Sequence, residues 1–332
     1  MTIDRRQILK GVTAAAGTSV LGMPALAQAK TKVRIGYLHT LAVDGQLWLA
    51  QHLDAFGRNG IEPELKLFQT GLELFQAMIG GSLDTLVTGA VISNFPARGQ
   101  GKVFLANTIE FATAQLWVRN DQGINSIADL KGKRIATTAG TTAHVFLENA
   151  LKANGMSGKD VELLNQRMPD AVTSFISGAV PAVALWVPFH VTVRDKVPTA
   201  KKLVDASAFY PQAAILGGWA STADYHAKNR DTLVRLSKAW IAGNDMLTSK
   251  TAEALGIIQK QYPNLTEADL KEQFAAQKVF PAAEWSKLYA DGSVVKWLQQ
   301  VTDFFVSTGN IDKPVPASQY FDPSIFADAS KA

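Results

Sequence analysis

The chain is 332 residues long, 47% hydrophobic and 19% charged, with a formal net charge of +4. That length fits about two domains with their own apolar core, and the mixture excludes general disorder. The absence of cysteine excludes disulfide frameworks, thiolate metal sites and cysteine nucleophiles, and no basic run of the nucleic-acid-binding kind is present.

The first segment reads as an address. Asp4-Arg5-Arg6-Gln7-Ile8-Leu9-Lys10 precedes a weakly apolar stretch from Gly11 to Leu26, and Ala27-Gln28-Ala29 is a small-x-small cleavage site. Paired arginines followed by Ile-Leu-Lys resemble the bacterial twin-arginine signal. The apolar stretch is too short to span a bilayer well. Residues 1–29 are therefore expected to be a twin-arginine-type signal peptide, cleaved after about Ala29 on export to the periplasm. What remains carries a net charge of +2.

The predicted elements then alternate. Lys32–Leu38 is a strand, followed by a helix that stops at Gly57–Gly60. Ile61–Phe68 is a strand, and Thr70-Gly71-Leu72-Glu73 opens a helix with capping-box spacing. Leu83–Thr88 is a strand, a helix is expected from Gly89 to about Gly101, and Val103–Asn107 is a strand. Further on, strands at Lys133–Thr137, Val161–Asn165 and Ala182–Trp186 alternate with helices at Thr142–Ala153 and Pro169–Ser177. From about Ser221 the chain reads as helices with loops between. Such alternation predicts two α/β units, each with a parallel sheet. Open sheets of this kind bind ligands beyond the carboxyl ends of their strands.

One segment has the makings of an anion site. A strand ends at Thr137, Gly140 permits a tight turn, and Thr141 or Thr142 caps the next helix. First-turn N–H groups at the positive end of a helix dipole attract anions. His144 lies in that turn as a further donor, and the dipole favours its neutral form. The bare pattern equally describes an ordinary threonine-capped helix.

The same stretch resembles the solute-binding proteins of ABC importers for nitrate, alkanesulfonate, taurine and bicarbonate. The resemblance rests on Asp129-Leu130-Lys131-Gly132-Lys133-Arg134-Ile135-Ala136, Gly140-Thr141-Thr142-Ala143-His144, Lys159-Asp160-Val161 and Trp186-Val187-Pro188-Phe189. Weaker agreement runs through Gly36-Tyr37, Gly71-Leu72-Glu73 and Gly81-Ser82-Leu83-Asp84. It implies an α/β, type II periplasmic-binding-protein fold, with two α/β lobes, a two-strand hinge and a helical C-terminal segment. Hinge crossings are expected at Gln115–Val118 and Ala214–Gly217, giving lobe one as 31–115 plus 218–332 and lobe two as 116–217. It further implies capture of a small anion between the lobes and delivery to an importer permease, by a monomer without cofactor, metal, catalysis or nucleic-acid partner, exported by the twin-arginine machinery. Val187 stands where many relatives have an acid, which argues against an amino-sulfonate ligand.

The expected ligand-binding residues are Thr141, Thr142, Ala143, His144 and Trp186, with His39, Thr88 and Gly89 from the other lobe. Trp186 could wall the ligand. Thr70 is expected to be only a cap, His52 and His226 surface residues, and the remaining tryptophans packing; Asp44 and Glu110 follow strands of lobe one and could meet a cationic part of a ligand, although such carboxylates are more often solvated. Among enzyme signatures, G-x-S-x-G, H-E-x-x-H, the P-loop and G-x-G-x-x-G are missing. The rival readings are an exported enzyme with a dispersed active site and a ligand-binding component of a sensor.

Overall fold

The computed structural model describes residues 29–331. The expected signal peptide therefore lies outside the described residues, apart from Ala29. β1 (Thr31–Leu38) and β2 (Ile61–Phe68) pair in parallel along their whole length, joined by α1 (Leu41–His52) and the short α2 (Ala55–Arg58). α3 (Gly71–Ile79) follows. Its capping box forms as the sequence spacing requires, with Glu73 N–H donating to Thr70 Oγ1 at 3.3 Å and the Glu73 carboxylate accepting from Thr70 N–H at 3.2 Å. β3 (Thr85–Thr88) ends against two 3₁₀ turns, Ala90–Ser93 and Pro96–Arg98. The helix expected from Gly89 to Gly101 is thus replaced by turns. Pro96 withholds an N–H, and the β-branched Val91 and Ile92 resist a longer helix.

β4 (Lys102–Ile109) closes the first sheet, and β5 (Ala114–Arg119) belongs to the second. β6 (Arg134–Thr137), α4 (Thr142–Ala153), β7 (Glu162–Asn165), α5 (Met168–Ile176), β8 (Ala182–Trp186), α6 (Phe189–Lys196) and β9 (Ala200–Asp205) complete that unit. The chain then returns to the first sheet as β10 (Leu216–Ser221). Strand order is β2-β1-β3-β10-β4 in one sheet and β7-β6-β8-β5-β9 in the other. Residues 110–113 and 206–215 therefore lie between the sheets, whereas Gln115–Val118 sit inside β5.

Both sheets are mixed rather than wholly parallel. β10 runs antiparallel to β3 and β4, and β5 runs antiparallel to β8 and β9. These are the strands through which the chain changes sheets, so the strand–helix rhythm could not show their direction. β9 is an edge strand with two lysines, and β10 has two glycines; both compositions read poorly as strand. Gly218 is required there, because a Cβ would crowd Leu105 O and the Ile92 side chain.

The C-terminal part is helical: α7 (Ala223–Lys228), α8 (Arg230–Ser249), α9 (Thr251–Ile258), α10 (Glu267–Ala275), α11 (Ala282–Ala290), α12 (Ser293–Ser307), α13 (Ala317–Tyr320) and α14 (Ser324–Ala329). α8 lies along α1 and α14. Trp240 and Trp285 are fully buried in this region, as packing residues should be. Among the described residues no helix is long and apolar enough to cross a membrane.

Two glycines test how tightly α8 is seated. A Cβ at Gly243 would run into Gln46 O and sit 2.9 Å from the Ala50 amide nitrogen, both backbone atoms of α1. Gly256 in α9 has open space around it. Ala improves an exposed helix by up to about 1 kcal/mol over Gly, whereas overpacking costs about 1–3 kcal/mol. Gly256→Ala should therefore raise the unfolding midpoint and Gly243→Ala should lower it, read by thermal and urea unfolding. Equal shifts in both variants would contradict the close helix crossing.

Candidate ligand-binding site

Strand ends and helix starts from both sheets converge on one small pocket. Leu38 and Thr40 follow β1, Gly71 opens α3, and Thr88 and Gly89 end β3. The second sheet supplies Thr141 and Thr142 at the start of α4 and Trp186 at the end of β8. Glu110 and Thr113 line it from the segment that passes between the sheets. The free space is about 20 Å³, little more than one water needs. Anything larger enters only if the two sides separate.

A hydrogen-bonded chain crosses this pocket. The Ala90 N–H donates to Thr142 Oγ1 at 3.1 Å, and Thr142 Oγ1 donates to Glu110 Oε1 at 3.0 Å. Thr113 Oγ1 donates to Glu110 Oε2 at 3.0 Å. Glu110 is buried, at 6% exposure. Burial pushes its carboxyl up to about 7, against the pull of the Thr142, Thr113 and Ala90 donors. Thr88 lines the same pocket, its hydroxyl oxygen packed against Gly71 and buried with no partner among the described residues.

The start of α4 is built as the sequence suggested, with one change. Gly140 adopts φ +77°, which its missing side chain allows, and Asn94 Nδ2 donates to its carbonyl at 3.2 Å. Thr141 occupies the N-cap, but its hydroxyl donates to Thr138 O at 2.7 Å instead of capping the helix. The N–H groups of Thr142, Ala143 and His144 find no acceptor among the described residues. The α4 start therefore presents free amides rather than a hydroxyl cap.

The expected site residues part company at this point. Thr141, Thr142, Thr88, Gly89 and Trp186 come together around the pocket. Trp186 is almost buried, its ring edge-on to Phe189 at 5.9 Å. The Ala143 side chain is fully buried, so only its amide is available. His144 turns away: Gly140 N–H donates to its Nδ1 at 3.1 Å, and its ring meets Phe304 edge-on at 5.6 Å. Burial holds its pKa below the ordinary imidazole value, so the ring is neutral near pH 7. It faces a separate open groove of about 1000 Å³ between α4 and α12.

His39 also lies elsewhere. Its Nδ1 is 2.9 Å from Asp44 Oδ2, its Nε2 is 3.0 Å from Gln261 O, and it stacks on Tyr262 at 4.0 Å. Burial opposes charge on this ring, but Asp44 outweighs it and holds the pKa above the ordinary value. Asp44, read as more often solvated, is fully buried and also accepts from Trp48 Nε1 at 2.8 Å and Tyr262 OH at 2.5 Å. This cluster ties the β1–α1 loop to the C-terminal helices. Glu110 is the second correction of that kind. Its one signal in the sequence was local: Ile109, Phe111 and Ala112 flank it directly. His52 is exposed as expected, whereas His226 is half-buried with Nε2 3.2 Å from Asp322 Oδ2. Among the described residues no group of three or more His, Asp or Glu is arranged to hold a metal.

Comparison with known proteins bears on the fold. Residues 95–254 match the family model described as NMT1/THI5 like. A protein of Brucella abortus (strain 2308), provisionally named a binding protein, is 27% identical over 87% of this chain and 89% of its own length. The alkanesulfonate-binding protein SsuA from Xanthomonas axonopodis pv. citri, solved bound to MOPS, superposes with a TM-score of 0.74 at 22% identity, over 89% of this chain and 99% of that one. This is the fold of the periplasmic binding proteins. The family resemblance read in the sequence agrees with these matches in fold. The desulfurization enzyme DSZB shares the fold, with a TM-score of 0.69 at 15% identity over 91% of this chain and 99% of that one.

Gly89 gives the pocket its most direct test. A Cβ there would collide with Glu110 Oε1 and lie 2.5 Å from Thr142 Oγ1. Gly89→Ala should break the Thr142–Glu110 bond, worth about 0.5–1.5 kcal/mol with the carboxyl neutral and about 1.5–3 kcal/mol once it is ionised. The expected result is a lower melting temperature together with loss of solute binding. An unchanged melting temperature would show that this chain of bonds is not held tightly.

Proposed function

We propose that the protein is an extracytoplasmic solute-binding protein that captures a small anion-bearing solute between two lobes and delivers it to the permease of an ABC importer. The observation behind this reading is the start of α4, whose first N–H groups have no acceptor among the described residues and whose Thr141 and Thr142 line a pocket walled by Trp186 and by strand ends of both sheets. The lobes are 31–109 plus 216–331 and 114–205, with the passages 110–113 and 206–215 as hinge. Export uses the twin-arginine signal of residues 1–29, and the protein acts in the periplasm as a monomer. The anion is held by the Thr142, Ala143 and His144 amides, with Thr141 shaping the turn.

The fold shared with DSZB keeps the enzyme reading in view. The pocket, however, pairs its hydroxyls with a carboxylate or with backbone rather than with a histidine base, and the chain has no thiol. Mass spectrometry of solutes incubated with the protein should return them unchanged; conversion of any bound solute would favour the enzyme.

Binding should be detected by calorimetry and native mass spectrometry against sulfonates, carboxylates, nitrate and bicarbonate. Failure across that panel would sink the anion reading. Closure leaves its own trace. Arg194 of α6 reaches across to α10, 2.8 Å from Asp269 and 3.3 Å from Glu272, with His190 3.3 Å from Glu272. Arg194 is half exposed, so the pair is worth only about 0.2–1 kcal/mol. Arg194→Ala should therefore enlarge the unliganded radius of gyration and weaken solute binding about twofold to fivefold. Identical scattering profiles and affinities in the two proteins would contradict a latch between the lobes.

A further inference from the structure

The pocket has an acid and no base. Among its lining residues Glu110 is the sole charged side chain, and the rest are hydroxyl, apolar or aromatic. A site meant only for a bare anion has no use for a buried carboxylate beside its amides, since the two negative charges repel at short range in a medium of low dielectric. Glu110 Oε1 accepts from Thr142 and Oε2 from Thr113, so each oxygen keeps acceptor capacity for a further donor. The Thr88 hydroxyl is buried in the same pocket and unpartnered among the described residues. Each can take a further N–H from a solute.

Resting on the solute-capture reading, we propose that Glu110 selects the solute: the protein takes small molecules that combine an anionic end with a protonated nitrogen, the nitrogen being held by the Glu110 carboxylate and the Thr88 hydroxyl against the Trp186 wall. The anionic end keeps the free amides of α4. The acid that Val187 fails to supply is thereby provided by another strand end, and the argument from the sequence against an aminated ligand is reversed.

The sign of the pH dependence separates this from competition. The groups facing Glu110 are the Thr142 hydroxyl of α4, the Thr113 hydroxyl of its own segment and the Ala90 amide after β3; no charged side chain contributes to its shift. Lys278, beside Ile109, is turned onto the rings of Phe111 and Tyr210. With its carboxyl pushed up to about 7, Glu110 becomes fully ionised only as pH rises above neutrality. A protonated nitrogen binds the ionised form, so affinity climbs as pH rises through 7 and then levels. A bare anion needs the neutral form, so its affinity falls over the same range.

Calorimetry on the protein without its signal peptide, between pH 6 and about 8, would compare 3-aminopropionate with propionate and 2-aminoethanesulfonate with ethanesulfonate. The expected result is a preference of about tenfold or more for the aminated member, growing with pH. Glu110→Gln should erase both the preference and its pH dependence while the circular dichroism spectrum stays the same. Should that variant not fold, the pH profile of the natural protein decides alone. Equal or tighter binding of the unaminated members, or anion binding that Glu110→Gln strengthens, overturns the selection by Glu110 and leaves solute capture standing. No binding of these pairs or of the wider panel overturns both.

Discussion

The bond from Thr142 to Glu110 joins three parts of the molecule that the chain order keeps apart. Thr142 starts a helix of the second unit, Glu110 sits in the passage between the sheets, and the Ala90 amide that feeds Thr142 follows β3 of the first. A carboxylate at 6% exposure must have its oxygens satisfied, and the donors available to it are those at the helix and strand ends. Whatever separates the two sides also removes a partner from a buried acid. The two sides of the pocket are therefore held together by a few hydrogen bonds.

That arrangement links the fold to the chemistry. Strand ends gather at the pocket because parallel strands with crossover helices end on the same side. The antiparallel strands β5 and β10, through which the chain changes sheets, do not disturb that side, since their neighbours β8 and β3 end there. Gly89 and Gly140 let backbone approach closely at the two lips. Asn94 donating to the Gly140 carbonyl is a second bond from one lip to the other. The Arg194 network lies farther out on α6 and α10, where exposure makes it weak enough to open.

Much of this was legible in the sequence and some was not. Alternation placed β1, β2, β6 and β8, and capping chemistry placed the start of α3 at Thr70. The Gly140–His144 turn was readable as a helix start because glycine and two threonines have a local reason to be there. Side-chain direction was not readable. Whether His144 faces a ligand depends on the rotamer that lets Nδ1 take the Gly140 amide, a contact decided by packing against Phe304. The burial of Asp44 was hidden too, since Tyr262, which donates to it, lies 218 residues away. Glu110 was read as more often solvated because a carboxylate after a strand ordinarily is; its apolar neighbours were the only local hint, and the distant Thr142 closes over it.

Amide hydrogen exchange with and without a bound solute tests most directly that the solute is captured between the two sheets. Added protection is expected at residues 88–90 and 142–144 together, because one solute touches both sides. Protection confined to the groove side of α4 and α12, or to one side of the pocket alone, would contradict the account.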